Sequence, residues 1–162
     1  MPSITVPQFR DFVFAWMREN GARAQRVQLL DWGWEWWLQA ELAGNLRAYD
    51  STLDVRREQF VFDGKQRSDL LLNGSSTVPG ERIIVELKTL RATEYVKPAF
   101  LKEIAVDVDK LQNHLKTTHM GAQLLSMAFY FDANAPIPPG FQRREDLHRD
   151  LAVCWREMVV LD

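Results

Sequence analysis

The chain has 162 residues, 46% hydrophobic and 26% charged, the size and composition of one soluble globular domain, which excludes collagen-like, disordered and disulfide-scaffold classes. Twenty Lys and Arg against 22 Asp and Glu leave a formal charge of -2, so nucleic acid would have to be met by local basic patches rather than by the whole molecule. The one cysteine, Cys154, can make no internal disulfide and is too few for a structural zinc site.

From Pro7 to about Asn20 the residues Phe9, Phe12, Val13, Trp16 and Met17 recur at helical spacing, with Pro7 suited to a first turn and Gly21 to a C-terminal stop, which predicts a helix over 7–20. The stretch from Arg23 to Leu30 fits helix or extended chain equally. A second helix is expected from about Trp34 to Arg47, with Trp37, Leu38, Glu41, Leu42, Asn45 and Leu46 along one face. The period then changes. Val55 to Phe62 reads as a strand, Asp63-Gly64 as a two-residue hairpin turn, and Gln66 to Leu72 as the returning strand. Asn73-Gly74 opens the next turn, and Arg82 to Leu90 completes a three-stranded meander. Pro98 opens a long helix on Phe100, Ile104, Val108, Leu111 and Leu115, and Gln123 to Phe131 returns to the sheet as a fourth strand. After a loop rich in proline, Leu147, Leu151, Cys154, Trp155 and Met158 fall at helical intervals and predict a last helix over about 144–160. The expected fold is a single α/β domain spanning 1–162, with a mixed central sheet flanked by helices.

On the third strand, alternation places Ile84, Glu86 and Lys88 on one face and Val85 and Leu87 on the other. Asp69 interrupts the preceding apolar strand in the same manner. Antiparallel pairing of the two strands brings two carboxylates and an ammonium to one end of the sheet. Such a set suits a hard divalent cation with open water positions, beside a lysine that orients or deprotonates water, and hence metal-assisted phosphodiester hydrolysis. A sheet-edge salt bridge of Glu86 with Lys88 or Arg82 is the simpler use of the same residues. Two carboxylates brought together without a metal should also leave at least one with a raised pKa.

The order helix, three-stranded meander, helix, strand, together with Ser68-Asp69 and Glu86-Leu87-Lys88, resembles the restriction-endonuclease-like nucleases whose signature is PD-(D/E)XK. The resemblance covers about 33–131, with serine where the family usually has proline. It implies that Asp69 and Glu86 hold Mg²⁺ or Mn²⁺, that the Leu87 carbonyl is a further ligand, and that Lys88 works on the water. It also implies an acid on the first core helix, for which Glu41 is the choice ahead of Glu35 and the strand residue Glu58. Asp107 and Lys110 match the family's polar positions on the helix after the third strand, where a solvated salt bridge one turn apart is the alternative. The implied substrate is nucleic acid, DNA in the first instance.

Arg56, Arg57, Lys65 and Arg67 concentrate positive charge on the first hairpin as candidate nucleic-acid contacts, or else as solvated edge charges that discourage aggregation. Trp32, Trp34, Trp36 and Trp37 read as core or interface rather than a base-stacking platform. Trp32 and Trp34 are the expected anchors if the domain is instead a catalytically silent module that meets a protein partner, such as an immunity or assembly factor, or a second copy of itself. The first residues lack a basic region and a cleavage site, and no apolar run approaches the roughly 20 residues of a membrane span, so the expected compartment is the cytoplasm, with no membrane partner. Neither the histidines nor the glycines form a metal-helix or phosphate-loop motif.

Overall fold

The computed structural model describes residues 3–30, 34–90, 98–132 and 135–159. Three helices, α1 (Val6–Val27), α2 (Glu35–Tyr49) and α3 (Pro98–Asn113), flank a six-stranded sheet of β1 (Val55–Gln59), β2 (Ser68–Leu72), β3 (Ile83–Thr89), β4 (Gln123–Phe131), β5 (Gln142–His148) and β6 (Leu151–Val159). The strand order is β1-β2-β3-β4-β6-β5. All neighbours are antiparallel except β3 and β4, the pair joined across α3. A parallel connection needs a crossover of this length, and the helix supplies it.

The sheet separates two cores. On one side α1 and α2 cover Leu70, Leu72, Val85, Leu87 and Val153; on the other α3 lays Phe100, Ile104 and Leu111 over Leu71, Ile84, Tyr130 and Cys154. Consecutive residues of β2, β3 and β6 alternate between the two, as pleated strands buried on both faces must. No described helix is long and apolar enough to cross a membrane.

Helix α1 begins where the sequence predicts. Thr5 Oγ1 accepts a hydrogen bond from the Gln8 backbone N–H, and the Thr5 N–H donates to Gln8 Oε1, a reciprocal cap beside Pro7. It does not stop at Gly21. A Cβ there would lie 2.4 Å from the His148 ring carbon Cγ, so this glycine lets β5 approach the helix rather than ending it.

The Asn73 turn is present, with φ at 54°, and its side chain bonds the Ile4 and Glu81 carbonyls. Asp63-Gly64 does not form the expected two-residue hairpin turn. Gln59 is paired with Ser68, and the intervening chain leaves the sheet because Val61 and Phe62 are buried beneath α3. Phe62 forms a bridge with Leu115, and the Lys116 N–H bonds the Val61 carbonyl at 2.9 Å.

The predicted helix over 144–160 is replaced by the β5–β6 hairpin, so the sheet has six strands rather than four. Leu151, Val153 and Trp155 enter one core while Ala152, Cys154 and Met158 enter the other. A continuous run apolar on both sides suits a strand between two layers and cannot be told from a helix by spacing alone. Arg149-Asp150 makes the tight turn, with Asp150 at φ 55°.

Candidate metal and nucleic-acid site

The site forms where β2 and β3 part. Their register runs from Leu72↔Ile83 to Leu70↔Val85 and ends there. Beyond it the Asp69 carboxylate takes the place of a backbone acceptor: Oδ2 accepts the Leu87 N–H at 2.6 Å, and Oδ1 accepts from Gln39 Nε2 of α2, also at 2.6 Å. Asp69 lies two residues from Leu71, and Glu86 two from Ile84; both of those apolar side chains face α3. The two acids therefore emerge on one face of the sheet.

Glu86 is 3% exposed. Its Oε2 lies 2.7 Å from Lys110 Nζ of α3, while Oε1 is buried without a hydrogen-bond partner. Lys110 also lies 3.4 Å from Asp107 and sits over the Phe62 ring at 4.9 Å. Lys88 is encircled by acids: Glu35 at 3.3 Å, Glu103 at 3.7 Å and Asp107 at 3.8 Å. Glu35 is held in turn by the Thr89 N–H at 3.1 Å.

Five carboxyl groups thus share one hollow with two lysines. Burial pushes the Asp69 carboxyl up to about 7 against the opposing Leu87 N–H. Burial, and next the charge of Asp69, push Glu86 up to about 9 while Lys110 opposes. Glu35 is also raised, chiefly by burial. Lys88 and Lys110 are raised because the surrounding carboxylates outweigh the burial that works the other way. Burial, with repulsion between neighbouring carboxyls second, is what favours the protonated forms of these acids, and the two lysines offset it only in part.

Among the described residues no group of three or more His, Cys, Asp or Glu is arranged to hold a metal ion by itself. A magnesium site asks for less: one or two carboxylates, with water and substrate oxygens completing the shell. Asp69, with a lone pair left on each oxygen, and Glu86, with its orphaned Oε1, fit that demand.

Glu41 is not among the acids that surround Lys88 and Lys110. Its carboxylate pairs with Arg23 of α1 at 2.8 Å, because two residues beyond Gln39 on a helix is more than half a turn away. Glu35 and Gln39, four apart, share the site-facing side. Glu58 is also elsewhere, opposite Arg67 at 3.9 Å. Gln39 and Glu103 were not foreseen; the i,i+4 relation to Glu35 and to Asp107 is the signal that could have found them.

The Leu87 side chain is buried in the core under α1 and α2. Arg56 is held by a two-pronged contact to Asp54, both arms 2.8 Å. Arg57 stands next to the site, its Nη2 3.5 Å from Gln39 Oε1, and Lys65 is exposed on the β1–β2 connection.

Trp34, expected to be exposed, is fully buried, with its Nε1–H bonded to the Leu90 carbonyl at 2.9 Å. Trp32 lies outside the described residues. An open groove of about 790 Å³ between α1 and the C-terminal end of α2, lined by Phe12, Trp16, Leu46 and Tyr49 among others, contains none of these groups.

Compared with known proteins, the chain matches no family model, and no curated protein or solved structure matches it.

Proposed function

We propose that this domain is a metal-dependent nuclease of the restriction-endonuclease-like PD-(D/E)XK type, cleaving phosphodiester bonds of nucleic acid, DNA in the first instance. The observation that carries the reading is the pair Asp69 and Glu86 at the β2–β3 parting, in a hollow with more acid than base and with Glu86 Oε1 left unpartnered. The order α2-β1-β2-β3-α3-β4 supports it, with α1 and the β5–β6 hairpin as additions around that core.

In this reading Asp69 and Glu86, with the Leu87 carbonyl, hold Mg²⁺ or Mn²⁺. A hard divalent cation bound there supplies Lewis-acid polarisation of a phosphoryl oxygen and an acidified water. Lys88 is kept protonated by Glu35, Asp107 and Glu103, so its part is to orient water and offset developing charge rather than to accept a proton. Lys110 donates to Glu86 Oε2 and holds that carboxyl in place beside Asp69. Gln39 fixes the orientation of Asp69.

The test is incubation of the pure protein with single-stranded DNA, linear duplex, plasmid and RNA in Mg²⁺, Mn²⁺ or EDTA, alongside Asp69→Asn, Glu86→Gln and Lys88→Ala. Metal-dependent cleavage by wild type, lost in all three variants, is the expected result. Cleavage unchanged in all three, or none by wild type on any substrate, refutes it. The exposed side chains of Leu29 and Leu30 beyond α1 favour the protein-binding module as the second reading, which the latter outcome would support.

A further inference from the structure

The nuclease reading leaves open which form of nucleic acid the site takes, and the rim of the hollow bears on this. Trp36, in the first turn of α2 next to Glu35, is 66% exposed, and Phe60, just past β1, is 46% exposed. Each ring carries a cation. The Arg57 guanidinium lies 5.1 Å from the Trp36 centroid; Arg67 lies 4.3 Å from the Phe60 centroid, with Lys116 Nζ at 5.8 Å.

Both stacks are wired to the carboxylates. Arg57 reaches Gln39, whose amide donates to Asp69. Phe60 is two residues from Phe62, the ring beneath Lys110, which holds Glu86. Neither Arg57 nor Lys116 has a carboxylate within 4 Å among the described residues; each keeps positive charge available at the edge of an acidic hollow. Arg67 faces Glu58 at 3.9 Å, and Lys116 also donates to the Phe60 carbonyl at 2.8 Å.

A solvent-open ring bearing a guanidinium, present twice on residues joined through Gln39 and Phe62 to the groups around Asp69 and Glu86, is a platform for an unpaired base with its phosphate at hand. Stacking of this kind is indifferent to base identity and is available only where bases are not already stacked in a duplex. We infer that the rim built by Trp36 with Arg57 and Phe60 with Arg67 and Lys116 binds single-stranded nucleic acid, bases on the rings and backbone along the cations, and feeds that strand across Asp69 and Glu86. The inference rests on the nuclease reading for the direction of the strand, but the binding it requires does not depend on cleavage.

The experiment is fluorescence anisotropy in EDTA with a labelled oligothymidine and a labelled blunt duplex of the same length. It compares wild type with Trp36→Ala, Trp36→Phe and Phe60→Ala, with the melting temperature of each variant measured in parallel. The expected result is tighter binding of the single strand than of the duplex. Each alanine variant should lose about fivefold or more in single-strand affinity, and Trp36→Phe should keep most of it. Melting temperatures should stay close to wild type, because both rings are exposed.

Equal binding of duplex and single strand, no binding of either, or affinity unchanged in both alanine variants overturns the inference. Metal-dependent cleavage together with Trp36-independent binding would sink the platform and leave the nuclease. Trp36-dependent binding of the single strand with no cleavage in any metal would do the reverse.

Discussion

Replacing Glu86 by Gln should stabilise the metal-free protein at neutral and alkaline pH. The carboxyl is 3% exposed, and burial together with the Asp69 charge holds its pKa at about 9 against an ordinary 4.5. In the unfolded chain the group ionises near 4.5, so between that pH and 7 the folded state is penalised for keeping a proton that the unfolded state releases. Stability from this group is full below about 4.5 and is lost as pH rises through about 9. At pH 7 the interval is about 2.5 units at about 1.4 kcal/mol each, or roughly 3–4 kcal/mol as a ceiling. Glutamine removes the titration and keeps an oxygen for Lys110, although an amide accepts from an ammonium less strongly than a carboxylate. A net gain of about 1–2 kcal/mol at pH 8 is expected, vanishing at pH 4. Urea unfolding of wild type and variant in EDTA at pH 4, 6 and 8 reads it directly. A variant about 3 kcal/mol less stable at pH 8, the size expected from breaking a buried ion pair, would mean that Glu86 is ionised against Lys110 despite its burial.

Three further outcomes follow from the same geometry. Lys88→Ala should lower metal-dependent cleavage by about a hundredfold or more, whereas Glu41→Gln, which only releases Arg23, should leave turnover within about twofold in a plasmid-nicking time course. Because the cation must displace protons from Asp69 and Glu86, Mg²⁺ affinity in calorimetry should rise by nearly tenfold per pH unit between 7 and 9 and more steeply below 7; a flat profile would place the metal elsewhere. Gly21→Ala should cost about 1–2 kcal/mol or more in chemical denaturation despite alanine's better helix propensity, because its Cβ would meet the His148 Cγ at 2.4 Å and the His148 Cβ at 2.5 Å, and His148→Gly in the same chain, which removes both atoms, should recover part of that loss.

The elements with an unambiguous period were legible from the sequence: α2, β3 and β4 lie close to where apolar spacing and turn residues place them. The departures share one cause, packing between segments far apart in the chain. Gly21 is a stop signal only until β5, more than 120 residues later, is seen to lie against it. Asp63-Gly64 is a hairpin turn only until Phe62 is seen to be claimed by α3 and the chain after it. Residues 151–158 satisfy helix spacing and a doubly buried strand alike, and β4, at the sheet position where β6 pairs, decides between them.

The site divides in the same way. Asp69, Glu86 and Lys88 could be read from strand alternation, because a period of two leaves no freedom about which residues share a face once the strands pair. The helix residue could not, because choosing Glu41 over Glu35 requires knowing which side of α2 is turned toward the end of β3, and an apolar stripe fixes that orientation only to within a residue or two. The stripe through Leu38, Leu42 and Leu46 faces the core, so an acid meeting the strand ends must lie beside it at the start of the helix, where Glu35 is. Glu41 lies on the flank turned toward α1, and Arg23 takes it. The Lys110–Glu86 contact lies still further from what sequence reveals. It depends on α3 crossing the sheet at a height that brings its fourth turn over β3, and that height is set by Phe100, Ile104 and Leu111 packing into the core beneath. The charge balance of the hollow is therefore a property of tertiary packing, and reagents that titrate Lys110 or Glu86 will report on α3 docking as well as on chemistry.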